Sequence, residues 1–397
     1  RGGDRRALTA TLAQEGSTMK TKAVLTALLL AATMTAARAA DTIKIGGLLE
    51  TSGPLASLGQ PGLDGAMLAV EQINAKGGIA GKKLELDNVN TEGDNTKSVT
   101  AVKRLLGQGD VVALVGPMNS GSSYAIIDTV QGASMPMISN GGSRGIVLPP
   151  QDKKWIFLSP LTDVLVQSVM MADMKKRGIK KIALLNADSP FGTSGRDQLV
   201  KNAGSFGLTI VAQESYANSD KDMTPQLTKI RSAAPDAVVI WATGPGQAIA
   251  VKNYRQLGLD ALLYMSHAAN DFNFLRLAGA SADDILIPSS KIYVIDSLPD
   301  SDPQKTVLKS FVHDYEAKYG KPPATFAGNG YDAVNMIAEA IRTAGTDRAK
   351  IRDAIEGLKD HVGVTAVYAY GPDDHFGAKA DSVVLLTVKD GKFALAR

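Results

Sequence analysis

The 397-residue sequence contains no cysteine, which excludes disulfides, zinc-thiolate centres, iron-sulfur clusters and thiol nucleophiles. Aromatic residues make up only 5%, too few for a nucleic-acid stacking platform. An excess of one charge is lacking as well. Six bases and two acids lie before Ala40, so the formal charge of +3 becomes −1 for the rest of the chain. A surface so close to neutral does not coat phosphates, and no nucleic-acid partner is expected. The apolar run Ala23 to Ala37 is not matched in length by any later segment. It falls short of the roughly 20 residues that a permanent membrane-spanning helix needs.

That run carries an address. Lys20 and Lys22 precede it and Ala37-Arg38-Ala39 follows it, the basic, apolar and small-residue order of a Sec-type signal peptide. Residues 19–39 are therefore expected to be removed, leaving a mature exported chain from Ala40. Residues 1–18 precede Met19 without an apolar period and are read as an upstream extension outside the fold. With no cysteine to acylate, a lipoprotein is not expected.

What is present is ordinary globular composition, 44% hydrophobic and 21% charged, in a length that suits two or three units. Short β-rich runs alternate with longer amphipathic ones. Ile43 to Leu48, Leu84 to Asn90, Val111 to Val115 and Pro136 to Ser139 read as strands, with helices at Leu63 to Asn74, Thr96 to Leu106 and Ser122 to Gln131 between them. After a strand at Trp155 to Leu158 the pattern restarts at a helix from Val164. It continues through strands at Lys181, Thr209, Ala237 and Leu262. Repeated βαβ units in two blocks imply two parallel sheets flanked by helices. Three successive helices follow, at Gln304 to Tyr319, Thr325 to Ala344 and Ala349 to Gly357, and they must pack on an earlier block. A hairpin around Asp390-Gly391 closes the chain.

The chemical motifs mostly dissolve on inspection. Gly141-Gly142-Ser143-Arg144-Gly145 fits the G-x-S-x-G pattern of a nucleophile elbow, but Pro149-Pro150 denies the serine the helix that an elbow needs. No catalytic residue is assigned, and the chain is not read as an enzyme. The four histidines lack ligand spacing, so no metal is expected. Gly244-Pro245-Gly246 is half a dinucleotide fingerprint without its third glycine, and no cofactor is expected.

Small polar loops at strand ends survive, and that is where open α/β sheets place ligands. Asn119-Ser120-Gly121 opens a helix after a buried strand, where free N–H groups and a hydroxyl suit a carboxylate. Ser120 or Ser122 would also serve as a plain helix cap. Ser139-Asn140-Gly141-Gly142-Ser143 forms a second loop on that edge. The second block offers Asp188-Ser189-Pro190-Phe191 and Ser266-His267-Ala268 at equivalent places, which predicts a cleft between two lobes.

A series of motifs then becomes familiar. Ile43-Lys44-Ile45-Gly46 with Thr51-Ser52-Gly53-Pro54, Ile73-Asn74-Ala75-Lys76-Gly77-Gly78-Ile79, Val115-Gly116-Pro117, Phe191-Gly192 and Gly330-Tyr331-Asp332-Ala333 run in order over most of the chain. In this the sequence resembles the periplasmic substrate-binding proteins of ABC transporters, in the branched-chain amino-acid (leucine/isoleucine/valine-binding) family. The resemblance implies a two-lobed type I periplasmic-binding-protein fold, the Venus flytrap. It implies hinge crossovers near Ser159 to Thr162, Pro288 to Lys291 and Val367 to Gly371. Lobe 1 would then take 40–160 plus 290–367, and lobe 2 would take 161–289 plus 368–397.

The resemblance also implies that Ser120 and Ser143, with the backbone of Gly141 and Gly142 and the neighbouring Asn119, bind a ligand carboxylate. The implied partners are that small-molecule carboxylate and an ABC permease in the inner membrane, with a monomeric binding protein. Departures bear on the ligand. Where the family presents an acid to the ligand ammonium, this chain reads Ser266-His267-Ala268-Ala269, with no carboxylate before Asp271. Phe191 replaces the usual tyrosine, and Leu58 stands where an aromatic residue is common at the cleft mouth. The family default, a hydrophobic or branched-chain amino acid, is the first expectation and requires Asp271 to meet its ammonium; the alternative is an aromatic or other amine-free acid, with His267 on a distal group.

Overall fold

A computed structural model describes residues 42–396; the expected signal peptide and the extension before it lie outside the described residues. The first block runs β1 (Thr42–Gly47), α1 (Ala56–Ala75), β2 (Lys83–Asn88), α2 (Asn95–Gly107), β3 (Val111–Val115), α3 (Ser120–Gly132), β4 (Met137–Ser139) and β5 (Ile156–Leu158). Its strands form one sheet in the order β2-β1-β3-β4-β5, with β1, β3, β4 and β5 parallel. The all-apolar sequence of β3 follows from burial on both faces.

The second block continues with α4 (Asp163–Lys176), β6 (Lys181–Ala187), α5 (Pro190–Asn202), β7 (Thr209–Tyr216), α6 (Thr224–Ser232), β8 (Ala237–Trp241), α7 (Gly246–Gln256), β9 (Leu262–Met265), α8 (Phe272–Ala278) and β10 (Leu286–Ser289). The chain then forms α9 (Lys305–Tyr319), α10 (Thr325–Ala344), α11 (Arg348–Glu356), the short pair β11 (His361–Val362) and β12 (Val367–Tyr368), and the hairpin β13 (Val384–Lys389) and β14 (Lys392–Leu395). The second sheet runs β14-β13-β10-β9-β8-β6-β7. Its β7, β6, β8, β9 and β10 are parallel, and the hairpin is added antiparallel at one edge. This is an α/β fold of parallel sheets flanked by helices, as the alternation predicts. Among the described residues no helix is long and apolar enough to cross a membrane.

Three differences from the sequence reading have physical causes. Helix α1 starts at Ala56 rather than Leu63 and runs through Pro61. Proline costs a helix one backbone bond, but Leu58 is buried in the core and holds the first turns in register. Helix α8 and strand β10 were not predicted. Seven and four residues are too short to carry a period of their own.

The third connection also lies beyond Val367 to Gly371. Leu158 N donates to the His375 carbonyl at 3.0 Å, and Tyr370 Oη donates to the Leu158 carbonyl at 2.6 Å. The chain therefore stays beside β5 through residue 375 and joins the second sheet only where Val384 pairs with Ser289.

Candidate functional site

The C-terminal ends of both sheets converge on a cavity of about 440 Å³. One wall comes from the first sheet, through Leu58, Met118, Asn119, Ser120, Asn140 and Gly142. The facing wall comes from the second, through Phe191, Thr243, His267 and Asn270, while Thr325, Phe326 and Asn329 at the start of α10 close one side.

The loop after β3 is built around the start of α3. Asn119 caps the helix, its Oδ1 accepting from Ser122 N at 2.8 Å. Ser120 is the first helical residue and is buried. The N–H groups of Ser120 and Gly121 point out of the first turn, where no intrahelical acceptor exists. Together with the Ser120 hydroxyl they form a neutral donor set beside the positive end of the helix dipole.

The opposite wall is aromatic. Phe191 stacks on Trp241 with centroids 5.6 Å apart, and His267 meets both rings edge-on, at 5.4 and 5.8 Å. Burial pushes the His267 imidazole down to about 4, so the ring is neutral at neutral pH. The two walls meet at Gly142. A Cβ built there would lie 2.9 Å from His267 Nε2 and 3.0 Å from Phe191 Cε2.

Of the residues expected from sequence, Leu58, Asn119, Ser120, Gly142, Phe191 and His267 line this cavity, whereas Gly141, Ser143 and Asp271 do not. Gly141 packs back against Ser120 and Ile146. Ser143 is buried behind the wall, its N–H donating to Ser120 Oγ at 3.2 Å. It is followed by a single 3-10 turn at Arg144–Ile146, not by the helix of a nucleophile elbow. Asp271 faces its own helix: its Oδ1 accepts from Asn273 N at 2.6 Å and Phe274 N at 3.3 Å, capping α8.

The sequence reading missed two lining amides. Asn140 Nδ2 donates to Ser159 Oγ at 2.5 Å and to the Asn329 carbonyl at 3.0 Å, and Asn270 Nδ2 donates to Ser289 Oγ at 3.0 Å. Each is left with a buried Oδ1 that has no protein partner. Both follow strand ends, which was the available signal. Trp241, the last residue of a buried strand, reads as core and lies in the core, where it backs Phe191 and His267. The lining holds one acid, Glu92, which is half-exposed and paired with Lys97 at 2.8 Å, and no lysine or arginine. No cluster of three or more metal-ligating side chains occurs among the described residues.

Comparison with known proteins fits this geometry. The sequence model of a family described as periplasmic binding protein matches residues 42–392. A Leu/Ile/Val-binding protein homologue of Brucella abortus is 28% identical over 383 residues, which cover 90% of this chain and 92% of that one. Among solved structures, an extracellular ligand-binding receptor from Rhodopseudomonas palustris superposes with a TM-score of 0.83 at 27% identity, covering 89% of this chain and 99% of its own. The branched-chain amino-acid transporter substrate-binding protein LivJ of Streptococcus pneumoniae, solved with isoleucine, gives 0.77 at 28% identity, covering 89% and 98%.

Proposed function

Since the chain belongs to the periplasmic binding protein family, we propose that it is the extracytoplasmic solute-binding component of an ABC importer, and that it carries a small carboxylate lacking an ammonium group. The observation that carries the ligand reading is the lining. Ser120 and the open end of α3 provide neutral donors for a carboxylate, while the facing wall is aromatic with an uncharged imidazole. A buried ammonium without a counter-charge is costly. Glu92 is already paired at the rim, and the Asp271 carboxylate is spent on α8. The unpartnered oxygens of Asn140 and Asn270 suit a donor on the ligand body, such as a hydroxyl.

A second reading is favoured by the relatives, whose names specify leucine, isoleucine and valine. In that case the two amide oxygens would receive the ammonium. A thermal-shift panel on ligand-stripped protein separates the two, comparing leucine, isoleucine, valine and phenylalanine with benzoate and 4-hydroxybenzoate. Ligand at 100 times its dissociation constant stabilises by about 2.7 kcal/mol, a shift of a few degrees at this size. Shifts confined to the amine-free acids are expected, and shifts confined to the amino acids would overturn the reading. Ser120→Ala should weaken the selected ligand by about 1 to 3 kcal/mol.

A further inference from the structure

Beneath the cavity lies a carboxylate that the ligand reading leaves unused. Glu50 follows β1 and is fully buried. Its Oε1 accepts from Asn119 Nδ2 at 2.6 Å and its Oε2 accepts from Met118 N at 3.1 Å. Both donors belong to cavity-lining residues of the loop between β3 and α3, and the same Asn119 side chain caps α3. One carboxyl group therefore holds the loop that presents Ser120.

We propose that Glu50 is the positioning residue of the ligand loop, and that capture of a carboxylate at Ser120 is coupled to uptake of one proton by Glu50. The coupling rests on the carboxylate reading of the cavity. An ionised Glu50 draws on the same positive helix end that a ligand carboxylate would use. Two anions sharing one poorly solvated site raise the proton affinity of one of them. Burial already pushes the Glu50 carboxyl up to about 7, against the pull of its own backbone N–H, Met118 N and Asn119, so little further work is needed to protonate it near neutral pH. The balance is simple. A proton from solvent joins the Glu50 carboxylate, the ligand keeps its charge, and the site carries one negative charge before and after.

Charged groups on the surrounding elements are paired or, like Asp128 on α3, exposed. Glu92 pairs with Lys97 at 2.8 Å, and Asp94 caps α2 through Lys97 N at 2.7 Å. On α1, Asp64 pairs with Lys321 at 3.0 Å and Glu71 pairs with Lys318. On β1, Lys44 pairs with Asp110 at 2.8 Å. Across the cavity His267 is neutral. Asp271, which burial pushes up to about 6, caps α8 outside the lining.

Calorimetric titration with 4-hydroxybenzoate at pH 8, in two buffers of different ionisation enthalpy, reads the proton directly; isoleucine is the probe if the panel selects the amino acids. About one proton should be taken up per ligand, and none would overturn the coupling. In a series from pH 6 to 8.5, wild-type affinity should fall by up to about 30-fold, while Glu50→Gln should change less than about twofold. Equal slopes in the two proteins would remove Glu50 from the effect.

The stability of the ligand-free protein gives a separate readout. A folded-state pKa near 7 against 4.5 in the free side chain makes wild-type stability fall relative to Glu50→Gln as pH rises through that window. A flat difference overturns the assignment to Glu50. If a carboxylate binds with a flat pH profile, only the coupling fails. If no carboxylate binds at any pH, the ligand reading fails and the coupling fails with it.

Discussion

At the scale of single residues, His267 shows how burial changes what a side chain can offer. An exposed imidazole would be half-protonated near pH 6.5, but here desolvation holds the charged form off until about pH 4. The unfolded chain therefore binds a proton over a range where the folded chain does not, and stability must fall as pH drops from about 6.5 to about 4. His267→Gln should remove that loss, which amounts to up to about 3 kcal/mol. Denaturant melts of both proteins at pH 7 and pH 4.5 check it, and identical pH dependence would mean that the ring is charged or exposed. The same neutrality makes the cavity a poor host for a second ligand carboxylate and a good one for a hydroxyl or a ring.

Elements decide where Asp271 points. The sequence places it four residues after His267, close enough to be offered as the missing counter-charge for an ammonium. It instead sits at the N-terminus of α8, a helix too short to have shown a period, and two backbone N–H groups of that helix take its Oδ1. Asp271→Ala should cost about 1 kcal/mol of stability through the lost cap and leave ligand affinity within about twofold. Abolished binding of an amino acid in that variant would return Asp271 to the site. Helix α3 teaches the converse. The polar loop that opens it was legible, although the helix starts at Ser120 rather than Ser122 and its cap is Asn119 rather than Ser120 or Ser122, because such a loop between a buried strand and a helix can satisfy the first turn and still leave donors for a ligand.

On the scale of the whole molecule, the cavity exists because loops from two separate sheets meet, and Gly142 is one of the points of contact. A side chain there has no room beside His267 and Phe191, so Gly142→Val should hold the walls apart. Ligand affinity should fall at least about tenfold, which corresponds to about 1.4 kcal/mol. Small-angle scattering should then show compaction on ligand addition in the wild type but not in the variant. Compaction of both to the same radius would place the contact elsewhere.

Most of the alternation of strands and helices, though not the short α8 and β10, and the strand-end loops were settled by local patterning, since apolar periodicity and Gly-Pro punctuation act within a few residues of chain. Which loop residues face the cavity was not, and Ser143 and Ser120 illustrate why. Both are small, polar and at strand ends, yet one lines the cavity and the other lies behind it, donating its N–H to the first. That choice depends on backbone direction and on partners more than 20 residues away. The same holds for Glu50, whose role comes from donors 68 and 69 residues further along the chain. Periodicity carries no information over such separations, so burial, charge state and facing were decided only when the sheets packed.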